Sequence, residues 1–244
     1  MSSLSRSAPH ADEPHESSGL AERLNWLRAG VLGANDGIVS TAAVVVGVAG
    51  ATTATGPILA AGAAALIGGA VSMALGEYVS VSSSSDSQKS LIAKERHELE
   101  EMPDEELAEL AYLYEQRGLS TGTAAAVARE LTAHDALAAH LDIELNIDPD
   151  EVVSPWNAAL ASAVSFTIGA LLPFLTAVLL PASLKIPVTF AAVLVALAVT
   201  GAMGAYLGRA PMLRPVVRVV VGGLLALGAT FLIGTWLGSS GALG

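Results

Sequence analysis

The sequence predicts an all-α membrane protein with five transmembrane helices and an acidic three-helix domain inserted between the second and third of them. Two observations lead to this fold class. Of 244 residues, 52% are hydrophobic and 14% are charged, and the apolar residues fall into five long stretches. Aromatic residues make up only 5%, so Ala, Val, Leu and Gly supply the apolar content, which is typical of membrane helices rather than of a large soluble core.

Each apolar stretch has the length of about 20 residues that a helix needs to cross about 30 Å of hydrocarbon. The predicted spans are Leu27–Gly50, Pro57–Val81, Pro155–Leu180, Pro187–Gly208 and Pro215–Leu237. We expect four of them to begin at their proline, because the first helical position needs no N–H partner. Trp26, Trp156 and Trp236 lie at span ends, where indole rings favour the membrane interface.

The distribution of Lys and Arg predicts the orientation, because cytoplasmic flanks are enriched in them. Arg6, Arg23 and Arg28 surround the start of the first span, and Arg209 and Arg214 lie between the last two. The N-terminus is therefore expected in the cytoplasm and the C-terminus on the far side. Residues 1–23 are predicted to be a disordered cytoplasmic tail, since they lack a signal-peptide pattern. The further predicted divisions are spans one and two at 24–81, a cytoplasmic domain at 82–154, spans three to five at 155–238 and a short tail at 239–244.

The insert differs in composition from the rest of the chain. From Asp86 to Glu151 there are 17 acidic and five basic residues. We expect three helices: Ser87–Glu101 continuing the second span, one from Pro103 to a stop at Gly118, and one from a cap at Ser120 or Thr121 to about Asn146. The net charge of −11 argues against nucleic acid as a partner and favours cations. Without cysteine, disulfides and thiolate metal sites are excluded.

Asp36 is an acid inside the first apolar stretch. It follows Leu27 by nine residues, which places it about 14 Å deep, near the bilayer midplane. An ionised carboxylate there costs several kcal/mol and usually marks an ion or proton pathway. The alternative is a structural Asp, paired to backbone or to Asn35, or protonated.

Glu77 is the other acid in a predicted span, near its cytoplasmic end, and Met73 lies one turn deeper on the same face. A carboxylate beside a thioether suits a divalent transition metal, because sulfur ligands favour softer ions. The alternative for Met73 is packing alone. With Asp36, the three residues form a candidate transport path.

The insert carries pairs of potential metal ligands at helical spacings of three and four. The candidates are Glu95, Glu98, Glu106, Glu109, His140 and Glu144. Paired carboxylates from antiparallel helices can converge on one ion, and an imidazole beside a carboxylate suits Fe, Mn, Co, Ni or Zn. The alternative is that the acidic run is a solvated helix face.

Four fragments of the sequence resemble the vacuolar iron transporter family, which includes bacterial members. They are Asn35-Asp-Gly-Ile-Val-Ser-Thr, Ser72-Met-Ala-Leu-Gly-Glu-Tyr-Val-Ser-Val-Ser, Glu109-Leu-Ala-Tyr-Leu-Tyr-Glu-Gln-Arg-Gly-Leu and Ser165-Phe-Thr-Ile-Gly-Ala-Leu-Leu-Pro. The resemblance implies a homodimer of five-span subunits with the ion path at the two-fold interface. It also implies export of Fe²⁺ and similar divalent ions, such as Mn²⁺, from the cytoplasm in exchange for protons.

The same resemblance implies roles for the candidate residues. Asp36 and Met73 match transport-path positions, Glu77 matches the glutamate of the second-span motif, and the glutamates of the insert match ligands of a metal-collecting domain. His140 stands where plant-type members carry a methionine ligand. Ser84-Ser85 stands where many relatives have Gln-Arg.

A transporter of this kind has metal ions as its substrate, needs no permanent cofactor and lies in the lipid bilayer. The composition is compatible with a bacterial plasma membrane.

The alternative hypothesis is a membrane-tethered ferroxidase or iron store. Such di-iron sites usually need two Glu-x-x-His pairs, and the residues three before His97, His134 and His140 are not glutamate. A metal sensor is a third reading, but it leaves Asp36 unexplained.

Overall fold

The computed structural model describes residues 20–147 and 154–240, with side chains from residue 30 onward. Every described element is helical. The helices are α1 (Leu20–Ala51), α2 (Thr55–Glu101), α3 (Pro103–Gln116), α4 (Thr121–His140), a π-helical turn (Leu141–Leu145), α5 (Pro155–Leu179), α6 (Ala182–Leu207) and α7 (Leu213–Ser239). Helix α1 begins within the predicted tail of residues 1–23, most of which lies outside the described residues.

Five helices are long and apolar enough to cross a membrane: α1 from Gly30, α2, α5, α6 and α7. The five predicted spans are therefore confirmed, but the prediction that four begin at proline is right only for α5. Pro57 and Pro215 are the third residues of their helices, because any of the first four N–H groups lacks an intrahelical partner. Pro187 lies further inside α6, where it cannot donate the bond to the carbonyl four residues earlier.

The described residues divide into two compact units. We call residues 26–87 and 154–240 the membrane unit, and residues 20–25 with 88–147 the acidic unit. Helix α2 contributes to both, and it runs without interruption from Thr55 to Glu101 as the sequence predicts.

Close helix packing in the membrane unit depends on glycine. A Cβ added to Gly37 of α1 would lie against the backbone carbonyl of Phe166 in α5, and one on Gly234 of α7 would lie against the carbonyl of Gly47. Small residues allow this approach between apolar helices. Ile38 and Val46 of α1 then pack with buried residues of α6 and α7, and Val45 of α1 packs with Ile58 of α2. Helix α1 therefore contacts all four other spans.

The acidic unit has a small apolar core in which Leu110 of α3, Ala128 of α4 and Ile143 of the π-helical turn meet. Gly118 adopts a left-handed conformation (φ 99°) after α3, confirming the predicted helix stop. Ser120 caps α4, its side chain accepting a hydrogen bond from the backbone N–H of Thr123.

The third helix of the insert is not the single regular helix predicted to reach Asn146. Asp135 has an extended backbone (φ −160°, ψ 98°) inside α4, and its carboxylate accepts a bond of 3.0 Å from the N–H of Ala138. It thereby caps a new turn that leads into the π-helical turn, and Asn146 in a left-handed conformation ends it. The alanine-rich sequence has high helix propensity throughout and gives little sign of this break.

Candidate metal centre

His140 lies at the centre of the acidic cluster, which we define as Glu95, Glu106, His140 and Glu144. Its side chain is fully buried, and the Glu95 side chain is almost fully buried. The Nδ1 atom of His140 is 2.9 Å from Oε1 of Glu95 and 3.6 Å from Oε2 of Glu106. Helices α2, α3 and α4 thus each contribute one polar side chain to a single buried position.

Three buried atoms at this position have no hydrogen-bond partner among the described residues. Both ring nitrogens of His140 and Oε1 of Glu95 are unsatisfied, because the 2.9 Å approach lacks hydrogen-bond geometry. An unmet buried polar atom costs about 1–3 kcal/mol, and more when it is charged. A neutral imidazole has a lone pair on one ring nitrogen, and a cation bound to it and to Oε1 of Glu95 would satisfy both atoms.

Glu144 in the π-helical turn supplies a third potential ligand. One ligand atom each from Glu95, His140 and Glu144 lies within 4.8 Å of the others. Bonds of about 2.0–2.2 Å to nitrogen and oxygen place the ligands of a transition metal at most about 4.4 Å apart. Small side-chain movements would therefore bring the three groups to the spacing of a site for one divalent ion.

The cluster holds more negative charge than it can stabilise alone. Burial, followed by the charges of Glu144 and Glu106, raises the pKa of Glu95 to about 7. Burial also raises the pKa of Glu106, with Glu109 and Glu98 contributing. Burial lowers the pKa of His140 against the opposing effect of its carboxylate neighbours, so the imidazole is neutral and able to bind metal at pH 7.

Glu98 and Glu109 lie at the edge of the cluster. Glu98 is half-buried and forms an ion pair of 2.8 Å with Nζ of Lys94. Glu109 is exposed on α3. Their charges act on the buried carboxylates, but the three-ligand group includes neither.

Two residues that the sequence did not single out support the cluster. Asp135 caps the turn that carries His140. Nη2 of Arg117 donates a bond of 3.0 Å to the carbonyl of Ile143, in the turn that carries Glu144. Asp135 could have been noticed as a capping residue type within a helix, whereas nothing in the sequence links Arg117 to Ile143.

In the membrane unit, Asp36 is exposed on α1, and its side chain makes no hydrogen bond with another described residue. Its backbone carbonyl accepts a bond from the hydroxyl of Ser40. Asn35, a suggested partner, instead accepts a bond of 2.6 Å from Thr200 of α6. Met73 and Glu77 on α2 are both half-buried.

Comparison with known proteins identifies relatives of this chain. The VIT family profile matches residues 27–235. The vacuolar iron transporter of Acanthamoeba castellanii is 44% identical over 210 residues, covering 86% of this chain and 77% of the relative. Vacuolar iron transporter homolog 5 of Oryza sativa subsp. japonica is 38% identical, with 87% and 80% covered.

Vacuolar iron transporter homolog 4 of Arabidopsis thaliana is 34% identical over 222 residues, 91% of this chain and 88% of the relative. The matches extend over both units and all five membrane helices. The resemblance seen in the sequence is thereby confirmed, and the chain belongs to the VIT family.

Proposed function

We propose that the protein is a proton-coupled antiporter that moves Fe²⁺, and with it Mn²⁺ or other divalent transition metals, out of the cytoplasm. The observation that carries this proposal is the acidic cluster, in which buried carboxylate and imidazole atoms converge without partners. Mixed nitrogen and oxygen ligands favour divalent transition metals over Na⁺ or Ca²⁺. The names of the relatives as iron transporters agree with this metal class.

Residues 82–154 then act as a cytoplasmic metal-collecting domain. Glu95, His140 and Glu144 hold an ion, with Glu106 as the nearest further carboxylate. Glu98 and Glu109 add negative charge at the edge, which raises the local concentration of cations. The orientation, with the N-terminus and this domain in the cytoplasm, rests on the distribution of Lys and Arg in the sequence.

Asp36 carries the ion across the membrane in this proposal. It is exposed on a helix of the membrane unit, and an uncovered carboxylate facing lipid is too costly to persist. A second copy of the chain facing the first would cover it and place two such carboxylates on one path. We therefore propose a homodimer with Asp36 at the interface.

Met73 and Glu77 receive the ion from the cytoplasm and pass it to Asp36. When the metal leaves on the far side, Asp36 takes up a proton, because metal and proton compete for the same carboxylate. This competition couples the two fluxes without a separate proton site. The assignment of Asp36, Met73 and Glu77 to the transport path rests on their chemistry, their positions in the helices and the resemblance to the family.

The proposal is tested with the purified full chain in liposomes and Fe²⁺ kept reduced outside. We expect Fe²⁺ uptake well above that of protein-free vesicles. Mn²⁺, Co²⁺ and Zn²⁺ should inhibit this uptake, and the ion that the protein binds most tightly should inhibit it most. Uptake no faster than in protein-free vesicles would contradict transport. Calorimetric titration of the same protein in detergent would show separately whether it binds metal.

The second candidate is a ferroxidase or iron store. Among the described residues, the cluster contains a single histidine, whereas the usual di-iron site takes one from each of two helices. Adding Fe²⁺ to the protein under air while recording dissolved O₂ separates the two functions. Stoichiometric O₂ consumption that depends on Glu95 would favour the ferroxidase.

A further inference from the structure

A cavity of about 590 Å³ lies among α1, α6 and α7 of the membrane unit, apart from the residues of the proposed metal path. Its volume is in the range of small-molecule sites. The lining is mostly valine, glycine and alanine. The residues are Val31, Asn35, Val39, Thr200, Gly201, Gly204, Ala205, Ala210, Pro215, Arg218, Val219, Gly222 and Gly223.

Arg218 is the charged side chain of this lining. It is exposed and makes no hydrogen bond or ion pair with any residue in the described ranges. The polar side chains of Asn35 and Thr200 are bonded to each other. The cavity therefore offers an apolar wall and one cationic group whose donors are available to a ligand.

Two further arginines are next to lining residues in the sequence. Arg209 and Arg214 are near Arg218 in the chain, at the end of α6 and the start of α7. Among the described residues, none that lines the cavity is acidic. A guanidinium beside an apolar wall is costly against hydrocarbon alone, but its planar fork of donors matches a phosphate well.

We propose that this cavity binds one anionic phospholipid, with an acyl chain against the valine and glycine wall and the phosphate on Arg218. The argument rests on charge and polarity complementarity within a protein that has five membrane-spanning helices. A zwitterionic lipid would bring a second, positive group to the arginine. An anionic headgroup meets no like charge in the lining.

The chain offers matched variants for each half of this proposal. Gly222 lines the cavity, and a Cβ added there meets no atom within 4 Å, so Gly222→Leu fills the cavity without a clash at the Cβ. Gly228, on the same helix and outside the lining, has equally open surroundings. Arg218→Gln removes the cation, and Arg214→Gln removes one outside the lining.

The test is native mass spectrometry of the detergent-purified full chain, incubated with phosphatidylglycerol or phosphatidylcholine of identical acyl chains. We expect the parent, Gly228→Leu and Arg214→Gln to retain phosphatidylglycerol preferentially. Arg218→Gln should weaken its retention about tenfold, as expected for losing one charge-assisted contact. Gly222→Leu should lose it, and Arg218→Lys should keep part of it.

Three results would overturn the proposal. The first is equal retention of the two lipids by the parent. The second is that Gly222→Leu retains as much phosphatidylglycerol as Gly228→Leu, or Arg218→Gln as much as Arg214→Gln. The third is displacement of bound phosphatidylglycerol by excess sn-glycerol 3-phosphate, since an anion site that needs no acyl chain is not this cavity.

Discussion

In the acidic unit, Glu95 and His140 are buried and surrounded by further carboxylates, whereas in the membrane unit Asp36 is an exposed acid without a side-chain hydrogen bond to any described residue. The first arrangement suits a site that holds an ion from several sides. The second suits a group that is completed by something outside the single chain. In the proposed function, holding a metal and moving it place opposite demands on a carboxylate, and the following substitutions can separate the two.

The largest effect is expected from Asp36→Asn. The amide keeps the shape but can neither bind a divalent ion strongly nor exchange a proton, so Fe²⁺ uptake by proteoliposomes should fall to the level of protein-free vesicles. Asp36→Glu, which keeps the carboxylate, should retain measurable flux. Metal titration of Asp36→Asn should match the parent, and uptake equal to the parent would remove Asp36 from the path.

Glu95→Gln is expected to have the next largest effect, and on binding rather than on movement. Loss of one of three ligands should weaken metal binding by roughly 100-fold, measured by calorimetric titration. Glu130→Gln, an exposed acid on α4, is the matched control and should bind as the parent does.

The same variant should be more stable than the parent at pH 7 without metal. The fold raises the pKa of Glu95, so its ionised form is unfavourable there. Denaturant unfolding checks this. Weaker metal binding combined with lower stability would indicate a structural glutamate instead.

Metal binding should depend on pH in a defined window. Because the pKa of Glu95 is about 7, metal must displace its proton below that pH, and affinity should fall roughly tenfold per unit as pH decreases. The lowered pKa of His140 delays its own protonation. Affinity that is flat between pH 5 and 7 would argue against Glu95 as a ligand.

Without metal, the stability of the folded chain should depend on pH in the opposite direction. The folded chain holds the Glu95 proton more tightly than the unfolded chain, so this contribution to stability is greatest below pH 4.5 and is lost as pH rises to about 7. Saturating metal should reverse the trend. Unfolding midpoints recorded across this range, with and without Mn²⁺, measure both slopes.

Asp135→Ala should have the smallest effect. It removes the cap of the turn that carries His140, which costs about 1 kcal/mol, and it should weaken metal binding only modestly. Asp142→Ala, an exposed acid in the π-helical turn without a capping bond among the described residues, is the control. Equal stability of the two variants would show that the cap does not hold this turn.

Much of the fold could be predicted, because hydrophobic length determines membrane helices almost directly. The five spans, the stop at Gly118 and the cap at Ser120 follow from local chemistry. Helix starts were less predictable, since proline is tolerated anywhere in a first turn. The break at Asp135 was missed because a local cap, in which the Asp135 carboxylate accepts a bond from the N–H of Ala138, competes with alanine propensity there.

The site was predictable by residue type but not by burial. Spacing identified His140 and Glu144 as neighbours on one helix face, yet Glu144 lies in a π-helical turn that begins directly after His140. That His140 is fully buried depends on packing among three helices, which spacing within one helix cannot reveal. The contact between Arg117 and Ile143 likewise joins residues distant in sequence.

The central claim is that one carboxylate path exchanges metal for protons. Recording luminal pH and luminal Fe²⁺ together in the same proteoliposomes, with an acidic interior and neutral exterior, tests it most directly. We predict that Fe²⁺ entry raises the luminal pH in proportion to the metal taken up, and that entry slows when the gradient is removed. Fe²⁺ entry with no change of luminal pH, at a rate independent of the gradient, would contradict the account.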